Sequence, residues 1–179
     1  MELKLKSLFC ILKIVLMNLI VLRHIKNIKC NSEIYLVIEG TGLKYLINPN
    51  FYPKPSEVEI NGQQKTFNNN NVYYLENNLN NILLKFNQKI TSCEYMFSDL
   101  NNILEIDLSK FDFSKVTNMK SMFSNCLNLE QINFGNIDTS LVENMEKMFF
   151  YCTKLTSVDL SSFDISKTKT MESMFKDCI

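Results

Sequence analysis

Two columns of chemically capable side chains recur at one fixed step. Asp112, Asp138 and Asp164 lie 26 residues apart, and so do Cys126, Cys152 and Cys178. Carboxylates stacked in this way could form a ladder of oxygen ligands for calcium. They could equally accept backbone N–H groups in a turn and complement the start of a following helix, and this second role is the expected one. Stacked thiols would sit about 4.8 Å apart, the spacing of neighbouring strands, so a disulfide in an oxidising compartment stays open. Leu100 holds the same place one step earlier, which favours a column of small buried apolar groups, a role free Cys fills. With no C-x-x-C pair anywhere, no metal centre is expected. The sole histidine is His24, and Gly40, Gly42, Gly62 and Gly135 form no phosphate-binding loop. His-dependent catalysis is therefore absent from residues 31–179, and the chain is expected to be no enzyme and to need no cofactor.

The elements that position these columns come from a repeat. "VTNMKSMF", "VENMEKMF" and "TKTMESMF" begin at 116, 142 and 168, with an eroded "ITSCEYMF" at 90. Met96, Met122, Met148 and Met174 keep the 26-residue step, each followed by Phe, and Leu/Ile/Val columns through Leu129, Ile132 and Phe134 keep it too. A dozen columns in register mark a repeat array. In one unit, Val116, Met119, Met122, Phe123 and Cys126 fall on one helical face, and Ser114 stands at the N-cap position. Leu129, Ile132 and Phe134, separated by polar Gln131 and Asn133, read as a short strand. A short helix and a short strand cannot bury their apolar sides alone, so the units are expected to stack.

"MFSNCLNLEQINFGNIDTSLVENMEKMF" and "MFSDLNNILEIDLSKFDFSKVTNMKSMF" resemble the 26-residue repeat of BspA-like leucine-rich-repeat surface proteins, M-F-x-x-C-x-x-L-x-x-L-D-L-S-x-F-D-T-S-x-V-x-x-M. Leu100, Gly135 and Thr168 depart from that pattern. The resemblance covers residues 90–179 and implies an α/β architecture: a right-handed leucine-rich-repeat-type solenoid with a parallel sheet and short helices. It also implies a secreted or surface-attached protein used in adhesion. On such a strand the residues between inward positions face solvent, here Glu105, Asp107, Gln131, Asn133, Ser157 and Asp159. This sheet face is the candidate site for a protein or glycan ligand. The alternative is a structural spacer or coat protein without a specific ligand.

Residues 31–89 do not repeat. Short β-branched and aromatic runs broken by "GTG", "NPNFYPKP" and the hairpin signal Asn61-Gly62 predict a small β-rich cap on the array, and the Asn-rich segment 68–81 is expected to loop. Residues 7–22 are apolar except for Lys13 and Asn18 and follow Lys4 and Lys6. Residues 1–30 therefore read as a signal peptide, or as a retained signal anchor, and place the remainder outside the cytosol. Of the 19 basic and 19 acidic residues, this segment holds six and one, leaving 13 against 18 and a net charge of about −5. That balance disfavours nucleic acid and anionic lipid as partners. Membrane contact is expected only through a signal anchor or a C-terminal tail. No N-x-[ST] sequon occurs. Because Ile179 follows the last Cys column directly, the array is expected to continue in a longer natural chain.

Overall fold

The computed structural model describes residues 32–66 and 72–178. The expected signal segment, residues 1–30, lies outside them. Eight strands follow one another: β1 (Ser32–Glu39), β2 (Gly42–Tyr45), β3 (Glu57–Ile60), β4 (Gln63–Lys65), β5 (Val72–Leu75), β6 (Leu79–Phe86), β7 (Ile103–Asp107) and β8 (Gln131–Asn133). Six form one sheet in the order β4-β3-β6-β1-β7-β8, and β2 pairs with β5 in a second sheet. Asn61 and Gly62, both at positive φ, close the β3–β4 hairpin, as the left-handed turns that join tightly paired strands require.

The α/β solenoid expectation is overturned. There is no helix among the described residues, and the large sheet is mixed: β7 and β8 pair in parallel, while its other pairings are antiparallel. The repeats do not close into a solenoid with a helical side. Val116, Met119, Met122, Phe123 and Cys126 are all fully buried, yet a chain of tight turns buries them. Met122, Ser124 and Cys126 donate backbone N–H groups three residues back, to Met119, Ser121 and Phe123. The intervening donors Met119, Ser121, Phe123 and Asn125 instead reach sideways to the carbonyls of Asn144, Glu146, Met148 and Phe150 in the next unit. A helix would send every N–H back four residues. Ser121 (φ 53°) and Asn125 (φ 60°) are left-handed, and this turns alternate N–H groups out toward the neighbour. Tyr95, Asp99, Lys147, Tyr151, Ser173 and Asp177 repeat the geometry.

The strand expected in each unit is also only partly present. β8 has three residues, and residues 157–159, expected in the equivalent strand, are irregular. The Asn-rich segment is likewise no single loop, because β5 occupies residues 72–75 and β6 begins at residue 79. Asn80 is buried there without penalty, donating to the Asn77 carbonyl and accepting from Asn61 Nδ2.

Stacking of equivalent side chains holds the units together. Phe97, Phe123, Phe149 and Phe175 lie nearly parallel, with ring centroids 5.8, 5.4 and 5.1 Å apart. Phe134 packs edge-on against Phe123 and Phe149. The same apolar core runs on through Ile34, Leu36 and Ile38 of β1 and Ile82, Leu84 and Phe86 of β6, so these strands and the repeats share it. β1 pairs with both β6 and β7 and covers the edge that β7 would otherwise expose.

Candidate functional site

Alternation along the strands gives the six-stranded sheet one core side and one solvent side. In β1, Ile34, Leu36 and Ile38 point into the core, while Glu33, Tyr35 and Val37 stay part-exposed. Register then aligns the solvent-side residues across strands. Tyr35 stands opposite Leu83 and Asp107, Val37 opposite Asn81 and Glu105, Glu105 opposite Gln131, and Asp107 opposite Asn133.

A hollow of about 300 Å³ opens on this face, lined by Tyr35, Val37, Asn81, Glu105, Asp107, Gln131 and Asn133 among others. A second, more open groove adjoins it and is lined in part by Gln131, Lys154, Ser157 and Asp159. Of the six residues predicted from sequence, the structure thus gathers Glu105, Asp107, Gln131 and Asn133 in the hollow and Gln131, Ser157 and Asp159 in the groove. Gln131 and Ile132 border both. Ser157 and Asp159 lie outside any strand.

These side chains are not equally free. Asp107 Oδ1 accepts from the Ser109 amide at 2.8 Å and from Asn133 Nδ2 at 3.2 Å. Partial burial would raise its pKa, but the bonds from Ser109 and Asn133, with the charge of Lys110, outweigh that and hold it below the usual range. Asn133 Oδ1 accepts from the Gly135 amide and Asp159 Oδ1 from the Ser161 amide, and the Ser161 side chain together with that amide holds the Asp159 carboxyl low. Residues 107, 133 and 159 therefore fix the turn after each strand position. Glu105 and Gln131 are exposed, with side chains committed to no such turn.

Sequence reasoning missed Tyr35, Val37 and Asn81, which complete the hollow from the non-repeating part of the chain. The unbroken apolar run Ile34–Ile38 in "EIYLVIEG" hides which of its residues face outward, and the β1–β7 pairing shows that Tyr35 and Val37 join this surface. Lys110 Nζ sits 5.2 Å from the Tyr35 ring centroid and 4.0 Å from Glu33 Oε2.

The two chemically capable columns serve the turns and the core. Asp112, Asp138 and Asp164 accept the amides of Ser114, Ser140 and Ser166. Hydrogen bonds from the paired Ser residues hold Asp138 and Asp164 low. No group of three or more His, Cys, Asp or Glu among the described residues is arranged to hold a metal ion. Cys126, Cys152 and Cys178 are free thiols, each donating to the carbonyl of Phe97, Phe123 or Phe149 at 3.0–3.1 Å. Burial pushes Cys126 far up and Cys152 up to about 12. No helix among the described residues is long and apolar enough to cross a membrane.

Comparison with curated proteins and with solved structures finds no match. One family model matches twice, over residues 56–131 and 91–179, which together take in more than half of the chain. The second match covers the stacked units, and the first joins them to part of the β-rich region. The chain belongs to the family described as Mycoplasma protein of unknown function, DUF285.

Proposed function

We propose that this chain is a non-catalytic recognition protein of the cell surface or extracellular space that binds a protein or a glycan across the solvent side of its six-stranded sheet. The observation that carries this reading is the hollow shared by β1, β6, β7 and β8. There the Tyr35 ring and Val37 offer apolar contact, and Glu105, Gln131 and Asn81 ring them with hydrogen-bonding groups. An apolar floor with a few converging polar groups is the usual make-up of a recognition site. Amide and carboxylate groups beside an aromatic ring suit sugar hydroxyls and C–H faces as well as polypeptide. The net charge of about −5 over residues 31–179 works against nucleic acid and anionic lipid. The apolar stretch at residues 7–22 and the repeat's resemblance to BspA-like surface proteins support an extracytoplasmic location. Because the face joins two regions of different sequence, its lining varies from strand to strand, which suits a specific ligand better than a uniform spacer.

The test is an array of glycans and extracellular matrix proteins probed with the parent chain and with the triple variant Tyr35→Ala, Glu105→Ala, Gln131→Ala. These side chains are exposed or part-exposed, so the variant should fold. Its binding should drop at least about tenfold, the loss of one recognition hot spot or more. Undiminished binding by a folded triple variant refutes the site. N-terminal sequencing of the exported product checks the location: a mature chain still beginning at Met1 argues against a cleaved signal.

A further inference from the structure

Charge is unevenly spread over this molecule, and the solvent side of the six-stranded sheet carries most of the excess. Alternation and register put Glu33 and Glu39 of β1, Glu57 and Glu59 of β3, and Glu105 and Asp107 of β7 on that side. Two ammonium groups pair with these six carboxylates among the described residues. Lys85 of β6 lies 3.5 Å from Glu57 and 2.6 Å from Glu59, and Lys110, in the turn after β7, lies 4.0 Å from Glu33. Taking these six acids and two bases from the 18 and 13 of residues 31–179 leaves 12 and 11, which nearly cancel. The net negative charge therefore sits largely on one face. Glu39 and Glu105 are exposed there, with no side-chain partner among the described residues. One corner of the face already holds a cation. Lys110 Nζ stands 5.2 Å from the Tyr35 ring centroid, and the Tyr35 hydroxyl donates to Glu33 at 3.0 Å, so ring and carboxylate together form a seat for an ammonium. The Lys110 side chain is 63% exposed, which leaves that seat open to competition. Beside it lies the hollow of about 300 Å³, lined by Tyr35, Val37 and Glu105 among others.

We propose that the partner of this face is a basic polypeptide segment, lying extended across the strands with a Lys or Arg side chain in the hollow. Its methylene stem rests on Tyr35 and Val37 and its charged tip meets Glu105. The inference rests on the recognition role proposed above for the sheet face and names the partner's chemistry. Lys and Arg fit because each lays an apolar stem along apolar surface and keeps its charge at the rim. A second cation of the segment meets Glu39, or takes the place of Lys110 between Tyr35 and Glu33. The carboxylates extend from β3 to β7, three strand spacings or roughly 14 Å. That is the reach of about four or five extended residues and too far for a single amine. An acidic peptide or an anionic glycan would meet like charge across the whole face, and a neutral glycan would make no use of it.

The experiment uses the full chain and three labelled peptides of equal length that carry Arg, Gln or Glu at alternate positions, with binding read by fluorescence anisotropy. The Arg peptide should bind at least about tenfold more tightly than the Gln peptide, the Glu peptide more weakly still, and added salt should weaken the Arg complex. Glu39→Gln with Glu105→Gln should weaken it roughly threefold to tenfold, as the loss of two exposed pairs implies. Glu76→Gln with Glu172→Gln removes the same charge outside the six strands and should change the affinity less than about twofold. An Arg peptide that binds no more tightly than the Gln peptide overturns the proposal. So do equal losses in the two double variants, which would reduce the effect to net charge alone. The reading of the face as a site fails separately. If an array ligand without positive charge loses binding in the Tyr35→Ala, Glu105→Ala, Gln131→Ala variant while the Arg peptide does not bind, the face stands as a site and the basic partner falls.

Discussion

Phe123→Ala tests the stacking of the units most directly. The Phe123 ring is fully buried between Phe97 at 5.8 Å and Phe149 at 5.4 Å, with Phe134 edge-on at 6.1 Å. Truncating a ring so enclosed costs about 3–5 kcal/mol, the transfer loss plus the cavity left behind. The aromatic pair contributions of about 0.5–1.5 kcal/mol each are included in that figure and cannot be added to it. Phe175→Ala removes the same atoms from a ring stacked on one face and 43% exposed, so about 1–2 kcal/mol is expected from the smaller buried area. Urea denaturation followed by circular dichroism measures both. With a slope of about 2 kcal/mol per molar urea, Phe123→Ala should lower the midpoint by about 1.5–2.5 M and Phe175→Ala by less than about 1 M. Equal shifts, or an unmoved midpoint for Phe123→Ala, would show that the column does not hold the units together.

Four further outcomes are expected. Gly135 has φ +59° and an added Cβ would lie 2.8 Å from Ser109 Cβ, so Gly135→Ala should cost about 1–3 kcal/mol through strain and a forced shift, read as a lower urea midpoint. Asn48→Ala leaves the Ser98 carbonyl and the Asn50 amide without their side-chain partner and should cost about 1–3 kcal/mol; the same titration detects it. Hydrogen bonds from Ser140, Ser161, Ser166 and Lys120 hold Asp138, Asp159, Asp164 and Glu146 below their usual pKa; the folded state therefore binds protons less readily, and its stability should be complete above about pH 5 and fall as the pH drops through about 4 toward 2, measured by thermal melts across that range. At mildly alkaline pH a thiol reagent followed by peptide mapping should label part-exposed Cys178 well before Cys126 or Cys152.

The period and the buried columns were legible in the sequence because stacking writes them into it: a side chain that must touch its copy recurs at a fixed step. The local conformation was not. Inward residues three and four apart signal a helix, but consecutive tight turns bury the same residues. A left-handed residue in third place would betray such turns if it were Gly or Asn. Here the first such place in each unit holds Tyr95, Ser121, Lys147 or Ser173, none of which carries that signal, and the second, with Asp99, Asn125, Tyr151 and Asp177, carries it only in part. The candidate face was half legible. Glu105 and Gln131 followed from alternation, while Tyr35 and Val37 needed the antiparallel pairing of β1 with β7, a contact between residues about 70 apart that no local pattern encodes.

The left-handed turns also give these alternate N–H groups a direction. A left-handed residue costs roughly 1 kcal/mol for side chains other than Gly, Asn or Asp, and each unit carries at least one such position. That strain is offset only where the N–H groups it turns outward find carbonyls in the next unit. At the near end the carbonyl side of the ladder meets Asn48, whose amide reaches Met96 and whose side chain reaches Ser98, so a single loop residue can terminate it. The left-handed turn at Ser173 has no such compensation among the described residues. In this chain alone, Met171–Asp177 should therefore exchange its amides faster than Met145–Tyr151. If Met171–Asp177 were instead as well protected as Met145–Tyr151 in the chain alone, the turns would be stable by themselves, and the coupling between strain and stacking argued here would be wrong.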